Sequence, residues 1–154
     1  MNDLYSEKLL QAAASVPPSS HLTRCDAVTV EKTSKVCGSS VSLDMALDNG
    51  KIGEVAVRAK ACALGQAAVG LFVPLLIGSD PEDIRRIRDE VSAMLLDDGP
   101  VPAGARWESL SVLKAIKDFP QRHASTLLIF EAAVACLDLL DARLNDDKLL
   151  KIKT

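Results

Sequence analysis

Along the chain, apolar positions change period several times, and each change marks an element. Residues 3–14 are rich in helix formers with Leu4, Leu9 and Leu10 as apolar anchors, and Val16-Pro17-Pro18 ends the segment. Residues 22–32 carry Val28 and Val30 in a short β-type alternation. Val41, Leu43, Met45 and Leu47 then alternate strictly with Ser42, Asp44, Ala46 and Asp48, which predicts a half-buried strand with one polar face. Asp48-Asn49-Gly50 is a hairpin signal, and Val55, Val57 and Ala59 carry the alternation back. These segments predict a three-stranded antiparallel meander with one face to be covered.

Helices supply the cover. Residues 61–73 are small and apolar, suited to a short, deeply packed helix. Asp80-Pro81-Glu82-Asp83 reads as an N-cap, a first-turn proline and first-turn acids, with Ile84, Ile87, Val91 and Met94 following at helical spacing. Asp97 to Ala105 is broken by glycine and proline and predicts a surface loop. Leu110, Leu113 and Ile116 mark another short helix. Pro120 opens a long one whose Val134, Leu137, Leu140 and Leu144 face the core, and the charged tail Asn145 to Thr154 is expected to fray. The order predicts a single α+β domain over residues 1–154, with an ordered core from about 3 to 144 and the sheet packed against helices in two layers.

Composition narrows the function classes. The 154 residues carry a net charge of −3, which argues against a nucleic-acid or anionic-membrane surface. The strongly apolar stretch Ala67 to Gly78 is about half of what a spanning helix needs, and the first residues lack the basic and apolar regions of a secretory signal. Aromatic residues make up only 3%, so the core is aliphatic. Cys25, Cys37, Cys62 and Cys136 are too scattered for a disulfide framework, and a reducing cytosol is the expected home.

The candidate chemistry lies in the placement of two of those cysteines. Cys37 is expected to begin the second strand, with Gly38 allowing a sharp turn, and Cys62 to open the helix after the third. The start of one hairpin strand lies beside the end of its partner, so the two sulfurs can converge although 24 residues separate them. A helix N-terminus also favours the thiolate, which is both metal ligand and nucleophile. His123, at the start of the last helix, is the candidate third ligand; Ser39, Ser125, water or another molecule is left for the fourth. Cys25, expected in the first strand, and Cys136, in an apolar helix stripe, read as packing residues. No base–nucleophile–orienter set is visible, which predicts a protein without turnover.

At these residues the chain resembles the U-type iron–sulfur cluster scaffold family, the IscU, SufU and NifU N-terminal proteins, over roughly residues 3–142. Leu4-Tyr5-Ser6-Glu7 is similar to the family's opening helix. Cys37-Gly38-Ser39 stands where the family has Cys-Gly-Asp, and Ala61-Cys62-Ala63-Leu64-Gly65 where it has Gly-Cys-Ala-Ile-Ser. Phe119-Pro120-Gln121-Arg122-His123-Ala124-Ser125 resembles Phe-Pro-x-Arg-x-x-Cys, and the stretch from Gly70 to Pro120 resembles the insertion of the SufU branch. The resemblance implies a zinc ion or a nascent cluster held by three cysteines and an aspartate, and partnership with a cysteine desulfurase and other iron–sulfur assembly proteins. Here the aspartate position is Ser39 and the third cysteine position is Ser125.

The expectation is therefore a non-enzymatic scaffold-like protein holding zinc, iron or a transient cluster through Cys37, Cys62 and His123. Its alternatives are a metal-free interaction protein of the same machinery and a persulfide carrier using Cys62.

Overall fold

The computed structural model describes residues 6–153, and side chains through Asp147. Leu4 and Tyr5 lie outside the described residues. Helix α1 spans Glu7–Ala14, where the Ser6 hydroxyl caps it by accepting the Leu9 N–H at 3.3 Å. Strands β1 (Val28–Thr33), β2 (Ser40–Asp48) and β3 (Lys51–Lys60) form an antiparallel sheet in the order β1-β2-β3, the meander expected from the alternation. Asn49 and Gly50 both take positive φ, 54° and 78°, as a tight hairpin turn requires.

Helices α2 (Ala63–Phe72), α3 (Pro81–Leu96) and α4 (His123–Lys153), with a 3-10 helix over Ala105–Asp118, complete the α+β architecture. Val41, Leu43 and Met45 are buried together with Val57 and Ile52 of β3. The core is aliphatic around one aromatic knot, in which Phe72 meets Phe130 at 4.3 Å between ring centroids and Trp107 at 6.3 Å. The Cys136 thiol is a core filler as expected, donating to the Leu43 carbonyl at 3.3 Å and so tying α4 to β2.

The structure departs from the pattern-based reading in several places. The second face of β2 is not open: Asp44 is only 3% exposed, and Ala46 is buried. Arg58 holds both Asp44 oxygens at 2.9 and 3.2 Å, while Thr29 Oγ1 and the Leu22 N–H donate at 2.7 and 3.0 Å. Arg58 also donates to the Ser20 carbonyl at 2.7 Å, so the connection between α1 and β1 is strapped across this face by charge. Cys25 lies in the turn before β1 and is exposed, where a strand cysteine was expected.

Residues 105–118 wind as a 3-10 helix because Trp107, Leu110, Leu113 and Ile116, all buried, recur every three residues. Leu144 is half exposed, beside Leu140 in a groove with Cys25 and Leu47. The backbone of α4 stays helical to Lys153, past the point where fraying was expected. No helix among the described residues is long and apolar enough to cross a membrane.

Candidate metal centre

Ser40 at the start of β2 pairs with Lys60 at the end of β3, so the residues just outside both strands are neighbours. Cys37 does not begin β2 as expected; it sits in the turn from Ser34 to Ser39. That turn is closed by the Gly38 N–H on the Ser34 carbonyl at 2.9 Å and the Ser34 N–H on the Ser39 carbonyl at 2.8 Å. Gly38 has φ +72°, a left-handed backbone that suits glycine and swings Cys37 out to solvent. Cys62 is the N-cap residue of α2 and half-buried.

Two buried hydroxyls join the cysteines. Ser39 Oγ lies 3.1 Å from Cys37 Sγ and accepts the Cys62 N–H at 3.3 Å. Ser125 Oγ lies 3.4 Å from Cys62 Sγ and donates to the Arg122 carbonyl at 3.2 Å. Gly65 makes this approach possible: a Cβ there would stand 2.9 Å from Ala61 Cβ and 3.2 Å from the Ser125 carbonyl oxygen. The first turns of α2 and α4 therefore touch at backbone distance. Among the described residues, neither the Ser34 hydroxyl, buried in the same turn as Cys37, nor Arg122 Nε, buried one turn before Ser125, has a partner within hydrogen-bond geometry.

Both thiols are shifted toward the thiolate. The hydroxyl and N–H of Ser39 hold Cys37 down at about 7. Burial pushes Cys62 up, but the Ser125 hydroxyl and the N–H groups of Gly65 and Leu64 at the start of α2 outweigh it and leave its pKa lowered. Cys136 goes the other way, pushed up to about 12 by burial and by the Asp44 charge.

His123 does not join the pair. It is the first residue of α4, and its Nε2 faces the Ile116 and Lys117 carbonyls at 3.0 and 2.9 Å. Carbonyl oxygens only accept, so Nε2 carries the proton and donates to both, satisfying the end of the 3-10 helix. The structure thus sets His123, the expected third ligand, with its Nε2 on these two carbonyls and not beside the cysteines. Among the described residues no three His, Cys, Asp or Glu side chains form a group suited to hold a metal ion. The serines that sequence reasoning left open as fourth ligands are the groups that connect the site; Ser34 was not singled out at all, since a lone serine after a strand carries no signal.

A three-stranded α+β domain with two cysteines joined by a buried hydroxyl at one end of its sheet is the class of protein that the fold and the site define. The chain belongs to the NifU-like N terminal domain family, whose profile matches residues 4–126. It is similar to the iron-sulfur cluster assembly scaffold protein IscU of Streptococcus pyogenes serotype M1, 25% identical over 103 residues, or 67% of this chain and 64% of that protein. The chain thus spans somewhat under two thirds of that relative. The IscU of Thermotoga maritima is 24% identical over 133 residues, covering 83% of this chain and 88% of that one.

Among solved structures, the N-terminal part of a nitrogen-fixing NifU-like protein from Brucella abortus superposes with TM-score 0.87 at 32% identity, covering 92% of this chain and 96% of that one. A putative iron-sulfur cluster assembly scaffold protein for the SUF system from Fervidobacterium islandicum shares the fold with TM-score 0.77 at 19% identity, covering 86% and 96%. The family resemblance drawn from the Cys37, Cys62 and Phe119-Pro120 motifs is thereby established.

Proposed function

We propose that this protein serves iron–sulfur cluster assembly as a carrier without turnover, taking a zinc or iron ion as cargo between the thiolates of Cys37 and Cys62. The observation that carries this reading is the Ser39 hydroxyl, within hydrogen-bond reach of Cys37 Sγ at 3.1 Å and of the Cys62 N–H at 3.3 Å, which holds the two cysteines in one site. Two thiolates fit two corners of a tetrahedral zinc or iron site. They do not fit a complete cluster, which takes about four such ligands. Membership of the family supports a cysteine desulfurase and other iron–sulfur assembly proteins as partners, with the cytosol as the setting.

Native mass spectrometry of anaerobically purified, tag-free protein tests the proposal. One zinc or iron per chain is expected, removed by a strong chelator and absent from Cys37→Ala and Cys62→Ala. His123→Gln, which keeps a donor toward the two carbonyls, is expected to retain the metal. If the bare chain mass persists in added zinc, the fold serves through its contacts alone and the carrier reading is wrong.

A further inference from the structure

We propose that the groove at the far end of the sheet from Cys37 and Cys62 docks a second copy of this chain, each copy laying the Leu144 face of α4 into the groove of the other. The inference is independent of the cargo and of the cysteines that would hold it. Val28 at the start of β1 pairs with Met45 near the end of β2, so the turn before β1 and the β2–β3 hairpin stand together at that end. Between them and α4 runs a groove of about 470 Å³, lined by Leu47, Leu140 and Leu144 with Cys25 in its wall. Asp26, Arg143 and Asp147 line it too, and all three are exposed. Leu140 is 6% exposed, whereas Leu144 one turn on is 50% exposed.

Both walls are fixed. Arg24 Nη2 donates to Asp26 and Asp48 at 2.8 and 2.9 Å, tying the turn to the hairpin. Arg143 Nη1 donates to the Ala27 carbonyl at 3.2 Å, tying α4 to the turn. A preformed groove loses little conformational freedom when it is filled.

The charges choose the occupant. Arg143 and Asp147 lie one turn apart on the helix face that carries Leu140 and Leu144. The Ala27 carbonyl is neutral, so it leaves the Arg143 charge unmet. A two-fold axis sets the same patch of two copies against itself, and the two α4 helices then run antiparallel across it. Arg143 of each copy stands opposite Asp147 of the other, with the two Leu144 side chains between the ion pairs. A face bearing one charge of each sign at this spacing is complementary to itself. Asp26 and Asp147 also disfavour a phosphate-bearing partner. The patch spans about 10 Å of helix and one hairpin tip, less than a permanent dimer needs, so the pair should be reversible. Docking at this end leaves both cysteine sites open.

Sedimentation equilibrium of the full chain tests this from low micromolar to near-millimolar concentration. A phosphine reductant and excess chelator keep disulfides and metal ions from linking chains. The wild-type mass is expected to rise from one chain toward two, and Leu144→Glu to hold it at one. Arg143→Asp and Asp147→Arg each set like charges opposite one another and should stay single alone. Their equimolar mixture restores both ion pairs and should regain the doubled mass. Circular dichroism confirms that each variant is folded.

A second readout needs no variant. Relative to Cys37 at the far end of the sheet, Cys25 should be alkylated by iodoacetamide several-fold more slowly at the high concentration than at the low one. A wild type that stays single throughout overturns the inference, as does a dimer that persists in folded Leu144→Glu. So do a mixture of the two charge variants that stays single and a Cys25 alkylation that concentration does not change.

Discussion

The Ser39 hydroxyl stands between two cysteines with one proton to give. Once Cys37 ionises, that proton points to its sulfur while a lone pair still receives the Cys62 N–H. Iodoacetamide should therefore alkylate Cys37 with a rate that climbs through pH of about 7. Ser39→Ala should move that midpoint up toward the ordinary thiol value of about 8.5 and slow alkylation at neutral pH. Peptide mapping at each pH checks both, and an unmoved midpoint would show that the hydroxyl does not set the acidity.

Cys136 gives the opposite test. Its folded pKa of about 12 lies above that of an unfolded thiol, so above pH of about 9 the unfolded chain has lost a proton that the folded chain keeps. Stability should then fall by up to about 1.4 kcal/mol per pH unit, and Cys136→Ala should flatten that slope in urea titrations between pH 9 and 11. At this scale the Cys37 and Cys62 pair was legible, because hairpin geometry alone brings the two positions together. His123 was not. A 3-10 turn over Pro120–Arg122 precedes it, and the change from three to 3.6 residues per turn rotates every later side chain away from the phase a continuous helix predicts.

Among the elements, the sheet was readable from strict alternation and the start of α3 from Asp80 and Pro81. The far face of β2 was misread, because a polar residue facing a charged strap has the same pattern as one facing water. Only the Arg58 partner and the Ser20 and Leu22 backbone groups, distant in sequence, distinguish them. Burial pushes Asp44 up, yet Arg58, the Leu22 N–H and the Thr29 hydroxyl hold it at about 2. Its contribution is present above the unfolded carboxylate value of about 3.9 and is lost as pH falls toward about 2. Asp44→Asn should cost about 2–3 kcal/mol at neutral pH by denaturant unfolding and remove part of the acid limb of the stability profile. A loss below about 0.5 kcal/mol would mean that the strap is held by packing rather than charge.

For the molecule as a whole, binding to the native state alone sets how far cargo and stability are linked. Zinc at ten times its dissociation constant should add about 1.4 kcal/mol, or roughly 3–5 °C in Tm for a domain of this size. Scanning calorimetry with zinc and then with excess chelator checks this, and the shift should vanish in Cys62→Ala.

The buried serines at 39 and 125 also shape the protein when it carries nothing. A buried carboxylate and an extra thiol at these positions would each have to take up a proton or find a new partner in a chain that carries no ion. The neutral hydroxyls of Ser39 and Ser125 instead bond their own neighbours. On the proposed carrier role, the chain is therefore expected to stay folded when unloaded, which chelation followed by circular dichroism checks.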